Sequence, residues 1–262
     1  MNSHLRSLAA LGAAGAVLAP SGGAAAQDDG WSVTVSPYVW TAALDGTSGL
    51  GRFETDVDIP FSETLESLDF ALFGDVEVRR GRWGLFFDGQ YVKTSQDEEI
   101  RSRELGLEIT KSLVQGAVFY RIYDSPQGGD TATGAPRRFT IDPMVGLRWN
   151  SLKANLSAQG QELSRKAEWT EPFVGVRSSW DVGARWNLSG EADVGGFGID
   201  RKKSANAQAF LGYRTYLLQR PSMVRVGYRT FHQEYATGGA GERAFRWDVT
   251  QHGPVIGLSM TF

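Results

Sequence analysis

The chain contains no cysteine among its 262 residues. This absence excludes a disulfide scaffold, a thiol nucleophile, an N-terminal lipidated cysteine and a cysteine-ligated metal site. Beyond the N-terminal region the sequence also lacks the run of about 18 consecutive apolar residues that a transmembrane helix requires. The formal charge of −3 gives no basic excess, so we do not expect a nucleic-acid partner. If this chain crosses a membrane, it must do so with β-strands.

The first residues have the order of features that is typical of a secretory signal peptide. Arg6 precedes an apolar stretch of alanine, leucine and valine, and the small residues Ala24, Ala25 and Ala26 follow it. We therefore predict a signal peptide at 1–26 and a single exported domain at 27–262. The 32 glycines and the 11% aromatic content favour an all-β domain.

Alternation with a period of two is the strongest pattern in the sequence. In residues 68–79 it places Leu68, Phe70, Leu72, Val76 and Val78 on one parity and Asp69, Asp75, Glu77 and Arg79 on the other. Further segments of this kind are 83–91, 139–150, 186–198 and 205–217, and less regular ones are 31–42, 104–123, 169–179, 223–235 and 245–262. They predict an antiparallel up-and-down β-barrel of about ten strands.

Aromatic side chains on the apolar parity indicate that this parity faces lipid. Those at the predicted periplasmic strand ends are Trp83, Tyr120, Phe139, Trp180, Trp186 and Phe262, and those at outer ends are Tyr91 and Trp149. Two aromatic girdles around an apolar band are typical of transmembrane barrels in the bacterial outer membrane. In the last strand, Ile256, Leu258, Met260 and Phe262 alternate to the end, which resembles the signal that the barrel-assembly machinery recognises.

Several details of the strand assignment stay open. Residues 51–61 could add a strand, followed by a helical turn at 62–67, and a further strand from 151–160 would give a twelve-strand alternative. Losses of phase predict a β-bulge at 111–113 and a slip at Gly253–Pro254. We predict a flexible periplasmic excursion at 124–138 and outer loops at 43–67, 95–103, 151–165, 199–204 and 236–244.

The parity opposite the apolar one carries many charges, which we expect to line the barrel interior. They are Asp69, Asp75, Glu77, Arg79, Asp88, Arg121, Asp142, Arg148, Glu171, Arg177, Glu191, Asp193, Arg214, Arg225, Arg229 and Asp248. Because a barrel of this size is mostly filled by side chains, we favour an interlocking network of ion pairs over a narrow polar conduit for small solutes.

Catalytic and metal-binding signals are weak. After the signal peptide only His232 and His252 remain as histidines, and Glu234 or Asp248 could orient one of them in a hydrolase site. A rim histidine without a catalytic task is the favoured interpretation. The acidic residues of segment 54–58 do not have the spacing of an EF-hand calcium loop. We therefore predict no enzyme activity, no metal and no cofactor.

Seven segments resemble a family of uncharacterised outer-membrane β-barrel proteins of proteobacteria. They are SPYVW (36–40), LDFALFGDVEVRRGRWGLFFDGQYV (68–92), IDPMVGLRW (141–149), EPFVGVR (171–177), DVGGFGID (193–200), VGYRTFHQEY (226–235) and HGPVIGLSMTF (252–262). The resemblance implies a porin-like outer-membrane barrel without an assigned substrate.

The expected function is structural or a surface interaction, with a narrow porin-like channel as the alternative and an outer-membrane hydrolase as the third possibility. The expected partners are outer-membrane lipid, lipopolysaccharide and, during biogenesis, the assembly machinery. We expect a monomer.

Overall fold

The computed structural model describes residues 30–50, 53–100, 103–158, 161–237 and 245–262. The predicted signal peptide and its cleavage site lie outside the described residues. The described part of the chain contains no helix long and apolar enough to cross a bilayer.

The structure is built almost entirely from antiparallel strands. They are β1 (Trp31–Trp40), β2 (Ala43–Leu50), β3 (Phe53–Ile59), β4 (Leu68–Arg80), β5 (Trp83–Ile100), β6 (Arg103–Tyr120), β7 (Tyr123–Asp130), β8 (Pro136–Ala158), β9 (Gln161–Trp180), β10 (Trp186–Gly195), β11 (Lys202–Leu217), β12 (Arg220–Thr237) and β13 (Phe245–Thr261). A helix, α1 (Phe61–Glu66), follows β3, and a 3-10 turn (Ile199–Arg201) precedes β11.

Ten of these strands close into a barrel, in the order β1, β4, β5, β6, β8, β9, β10, β11, β12, β13, and β13 pairs again with β1. The backbone N–H of Phe262 donates to the carbonyl of Val33 at 2.8 Å and extends this closing seam. The predicted ten-strand architecture is confirmed, and the twelve-strand alternative is wrong because residues 151–158 continue β8.

The predicted outer loop at 43–67 is largely ordered structure. β2 continues the register of β1 on β13, since Trp40 lies opposite Val255 and Ala43 opposite His252. β3 pairs with β2 outside the closed barrel, and α1 leads back to β4. The extra strand and the helical turn predicted for this region are therefore present, but they add to the outer end rather than to the barrel.

The predicted slip at Gly253–Pro254 is wrong, because β12 and β13 keep one register through these residues. Pro254 has no N–H to donate, and the interruption between β1 and β2 falls beside it, where the N–H of Thr41 donates to the Pro254 carbonyl at 3.1 Å. The bulge predicted at 111–113 is also absent, since β6 pairs without a shift to β5 and to β8.

Four predicted connections are shorter than expected. The hairpins β5–β6 and β8–β9 pair through most of 95–103 and 151–165, so both rise as ribbons beyond the barrel. The periplasmic excursion at 124–138 contains β7, which pairs with the start of β8. Of the outer loop predicted at 199–204, only the 3-10 turn lies outside the strands. Residues 238–244 of the last predicted loop lie outside the described residues.

The outer face of the barrel is an apolar band between two aromatic girdles. Val145 lies in this band with 57% of its surface exposed, as expected for a side chain in contact with lipid rather than protein. At the periplasmic side Trp83 packs on Tyr120, with ring centroids 4.8 Å apart, and Phe70 approaches Tyr91 within 5.9 Å at the outer side. The chain is therefore a transmembrane β-barrel of the outer-membrane type.

We expect that Val145→Arg will destabilise the barrel by about 2–4 kcal/mol, because a guanidinium near the bilayer midplane faces hydrocarbon. Lys153→Arg on the same strand, above the girdle, is the matched control and should change stability by less than about 0.5 kcal/mol. Unfolding by urea in lipid vesicles measures both values. Equal stability of the two variants would contradict the assignment of this face to lipid.

Candidate functional site in the barrel interior

Inward-facing side chains fill the barrel because ten strands enclose little space. Glycines on the inward parity make room for rings from neighbouring strands. A Cβ added to Gly84 would overlap the ring of Phe119, and one added to Gly146 would overlap the ring of Phe173. These rings, together with Phe86, belong to a buried apolar cluster inside the barrel. The interior is therefore a packed mixture of rings and charges.

In the layer of the interior nearest the periplasm, each of two carboxylates forms ion pairs with two arginines. The Glu77 carboxylate forms ion pairs with the guanidinium groups of Arg79 at 3.1 Å and Arg177 at 2.9 Å. Asp142 in turn binds Arg79 at 3.1 Å and Arg121 at 3.0 Å. Each of these carboxylates thus joins two strands that are far apart in sequence.

Glu191 and the remaining lower charges complete this layer. Arg177 contacts Glu191 at 3.3 Å, and Arg225 contacts Asp75 at 3.4 Å. Arg214 binds Asp181 at 2.6 Å. Asp181 was missed in the sequence because it follows β9 in a periplasmic turn, outside the alternating segment.

Arg148 is the centre of the layer above. Its guanidinium contacts Asp193 at 2.7 Å and Glu171 at 3.3 Å, and it donates to Gln115 at 2.8 Å and to Ser204 at 2.9 Å. Arg148 is 0% exposed, so its positive charge is balanced by these carboxylates rather than by water.

Arg229 and Asp88 form the second part of the same layer. The guanidinium lies 3.8 Å from the Asp88 carboxylate and donates to Asn206 at 2.9 Å. The Tyr38 hydroxyl and the Gln115 amide also donate to Asp88, at 2.6 Å and 3.2 Å. The neutral partners were missed in the sequence because alternation alone does not separate a lumen glutamine, asparagine or tyrosine from an exposed one.

Aromatic rings cover the flat faces of the buried guanidinium groups. Arg148 lies 4.7 Å from the Phe173 ring centroid and 4.8 Å from that of Phe231. Arg177 lies similarly between Phe86 and Phe119, at 5.3 Å and 5.0 Å. Carboxylates thus meet the N–H edges of both guanidinium groups while aromatic rings cover their faces.

Two charges assigned to the interior lie elsewhere. Asp69 is exposed at the register shift that begins β4, where it accepts a hydrogen bond from Ser95 at 2.5 Å. Asp248 lies opposite Glu234 on the outward face, because the predicted slip in β13 is absent. The other residues predicted to line the lumen all take part in the contacts described above.

Lys111 is an interior cation that sequence analysis missed, because the predicted bulge obscured its orientation. Its ammonium donates to Gln251 at 2.6 Å and to Gln233 at 3.4 Å, across the barrel from its own strand. Among the described residues no carboxylate lies within ion-pairing distance of it. Lys111 therefore differs from the arginines below it, which all have acidic partners.

Both histidines point away from the barrel interior, on the outward parity of β12 and β13. His252 is held between Asp45 at 2.7 Å and the Tyr228 hydroxyl at 2.6 Å, and Asp45 was not among the expected partners. His232 contacts Thr250 at 3.0 Å, with Glu234 at 3.5 Å as anticipated.

Among the described residues neither histidine ring is hydrogen-bonded to a serine, the partner that a serine hydrolase site would place there. No group of acidic or histidine side chains suited to a metal occurs among the described residues.

The predicted assembly signal lies along the closing strand. Ile256 and Phe262 are exposed on the lipid-facing side of β13, and Leu258 and Met260 lie between them on the same parity. Arg220 covers the Phe262 ring at 5.3 Å. These four side chains therefore form one continuous lipid-facing row at the end of the chain.

No family model and no curated protein matches this chain, so the family resemblance seen in the sequence has no support from these comparisons. The solved structures that it resembles are outer-membrane proteins. Ail of Yersinia pestis, in complex with the heparin analogue sucrose octasulfate, gives a TM-score of 0.38 at 10% identity, over 89% of this chain and 99% of that one. Neisserial surface protein A gives 0.30 at 12% identity, over 88% and 97%. A FadL homologue of Pseudomonas aeruginosa gives 0.26 at 12% identity, over 90% of each chain.

We expect Arg148→Met to cost about 3–5 kcal/mol of stability, because it leaves Glu171 and Asp193 buried without their cation. Adding Glu171→Gln and Asp193→Asn should recover most of this loss, since no net charge then remains uncompensated. Arg225→Met is the matched control and should cost less, because its single carboxylate partner is partly exposed. Denaturant unfolding measures the series. A triple variant no more stable than Arg148→Met would contradict the network interpretation.

Proposed function

We propose that this protein is a closed outer-membrane barrel that acts through its extracellular end as a surface-interaction protein and does not conduct solutes. The observation that carries the proposal is the complete burial of the middle layer. Arg148, Phe173 and Phe231 are each 0% exposed, although all three lie inside the barrel. A conduit would leave such residues in contact with water.

Charge pairing supports the same conclusion. The interior arginines contact carboxylates from other strands, and rings occupy the guanidinium faces. A permeating ion would have to separate these pairs and displace the rings, which carries a large desolvation cost. The narrow porin-like channel is therefore the weaker candidate.

A β-ribbon at the outer end of the barrel offers a surface for an interaction. β8 continues from Trp149 in the girdle to Ala158, and β9 returns beside it, so this ribbon rises about 30 Å along the strand beyond the membrane band. The partners that we propose for the band itself are outer-membrane lipid and lipopolysaccharide. We further propose export by the signal peptide at 1–26, insertion by the assembly machinery through β13, and a monomeric state.

We expect the purified protein to show heat-modifiable gel mobility and no conductance steps in planar bilayers. The closed middle layer is the reason for the second result. A triple variant, Arg148→Ser with Phe173→Ala and Phe231→Ala, removes the layer and should produce steps. Wild-type steps above background, after insertion is confirmed by gel mobility of the same vesicles, would overturn the proposal.

The control for bilayer disturbance is Lys153→Ser, which changes an outward side chain above the girdle and should stay silent. If the triple variant does not fold, its unshifted mobility will show this. The wild-type recording then decides alone between closed and conducting states.

A further inference from the structure

Four exposed arginines lie in or beside the periplasmic turns and have no acidic partner. Arg80 ends β4, Arg82 lies in the turn that follows, Arg185 precedes β10 and Arg220 begins β12. Among the described residues no carboxylate lies within ion-pairing distance of any of the four. We call this set of residues the arginine rim.

The acids at this end of the barrel do not offset the rim. Asp124 binds Arg138 at 2.8 Å, and Asp181 binds Arg214 at 2.6 Å. Of the acids in the described periplasmic turns, this leaves Asp130, which is exposed at the end of β7. The periplasmic surface therefore has an excess of positive charge.

Three arginines of the rim pack on exposed aromatic rings at the periplasmic end. The pairs, with the distance from the guanidinium carbon to the ring centroid, are Arg80 on Trp31 at 5.4 Å, Arg185 on Tyr213 at 5.7 Å and Arg220 on Phe262 at 5.3 Å. Arg80 also lies opposite Trp83 of the girdle. A ring under a guanidinium holds it at the depth of the girdle and leaves its N–H edge available to an acceptor.

Outward charges at the other end of the barrel follow a different pattern. Three lysines there have acidic partners, and the pairs are Lys93 with Glu108 at 2.8 Å, Lys166 with Glu168 at 2.9 Å and Lys203 with Glu234 at 2.9 Å. Asp45 and Asp58 lie directly opposite one another, which adds negative charge to this end. Unpaired outward cations are therefore concentrated at the periplasmic end of the barrel.

The position and the chemistry of the rim both favour a phosphate in a lipid headgroup. The rim borders the lipid-facing band, and Trp31 and Trp83 beside Arg80 are 66% and 60% exposed, as expected for rings in the membrane interface. A guanidinium can donate two parallel hydrogen bonds to one phosphate. Basic side chains at this depth are attracted to anionic lipids. An arginine that packs on a ring in the interface lies nearer to lipid phosphate than to a protein in the periplasm.

We propose that the arginine rim binds anionic phospholipid of the periplasmic leaflet, with the lipid phosphate accepting hydrogen bonds from Arg80, Arg185 and Arg220. The rings under these arginines contact the region between the headgroup and the acyl chains. This inference rests on the lipid partner proposed above and deepens it, because it names the leaflet, the headgroup charge and the residues. Binding at these positions also fixes the depth at which the periplasmic end lies in the membrane.

Binding is tested with the whole protein in vesicles of phosphatidylcholine. The probes are phosphatidylglycerol and phosphatidylcholine with the same brominated acyl chains, added as a small fraction of the lipid, because bromine quenches tryptophan fluorescence on contact. Trp31, Trp83 and Trp186 lie beside rim arginines and report on the site. Wild type should prefer the anionic lipid by at least about fivefold, the contribution of one basic side chain near an anionic surface.

The test variant removes three charges from the rim and consists of Arg80→Gln, Arg185→Gln and Arg220→Gln. Both probes should quench it equally, to within about twofold. The matched control removes three outward charges at the other end of the barrel and consists of Lys93→Gln, Lys153→Gln and Lys166→Gln. It should keep the wild-type preference. Gel mobility verifies folding of every variant, and Arg80→Gln alone replaces the test variant if the latter fails to fold.

Equal quenching of wild type by the two lipids would overturn the proposal and leave an acidic protein as the partner that fits the rim. A loss of preference in the lysine control as large as that in the arginine variant would overturn it as well. Conductance recorded on the same preparations separates this proposal from the proposed function. Silent bilayers without a lipid preference would remove the rim site and leave the closed barrel, whereas steps with an intact preference would do the reverse.

Discussion

The pairing of β13 with β1 is the constraint on which the rest of this structure depends. In hydrocarbon every backbone N–H and C=O must find a partner within the protein, so a sheet that spans the bilayer cannot keep an open edge. Bonds such as that between Phe262 and Val33 remove the edge. Closure with ten strands then leaves an interior too small for a water-filled pore, and the inward side chains must satisfy one another.

This requirement explains the dominance of arginine in the interior. A guanidinium is planar, so it can offer its edges to carboxylates and its faces to rings at the same time. Arg148 does both, with Asp193 and Glu171 at its edge and Phe173 and Phe231 on its faces. A lysine ammonium has no such faces, and Lys111 accordingly lies at the upper limit of this packing with glutamine partners.

Most of the barrel could be predicted from sequence because lipid and lumen impose opposite polarity on alternate residues. That pattern gave the ten strands and the lumen positions of residues such as Glu77 and Arg177. It could not give β7 or Asp181, since neither lies in an alternating segment. It also could not show which carboxylate meets which arginine, because partners such as Arg148 and Asp193 come from strands that are not neighbours in the sheet.

The two losses of phase in the sequence have one physical cause, and it is not a bulge. In β6 the apolar parity changes near Lys111. The next residue, Ser112, lies opposite Tyr91 of β5, and Tyr91 belongs to the outer girdle. In β13 the change falls at His252, which contacts Tyr228 at the same level. The backbone register continues unchanged through both points.

What changes there is the solvent outside the barrel. Below these levels hydrocarbon selects apolar residues for the outward parity, and above them water selects polar ones. The inward parity changes in the opposite sense, from paired charges to half-buried apolar residues such as Val92 and Leu152. A polarity inversion at constant register therefore marks the outer membrane boundary in this chain.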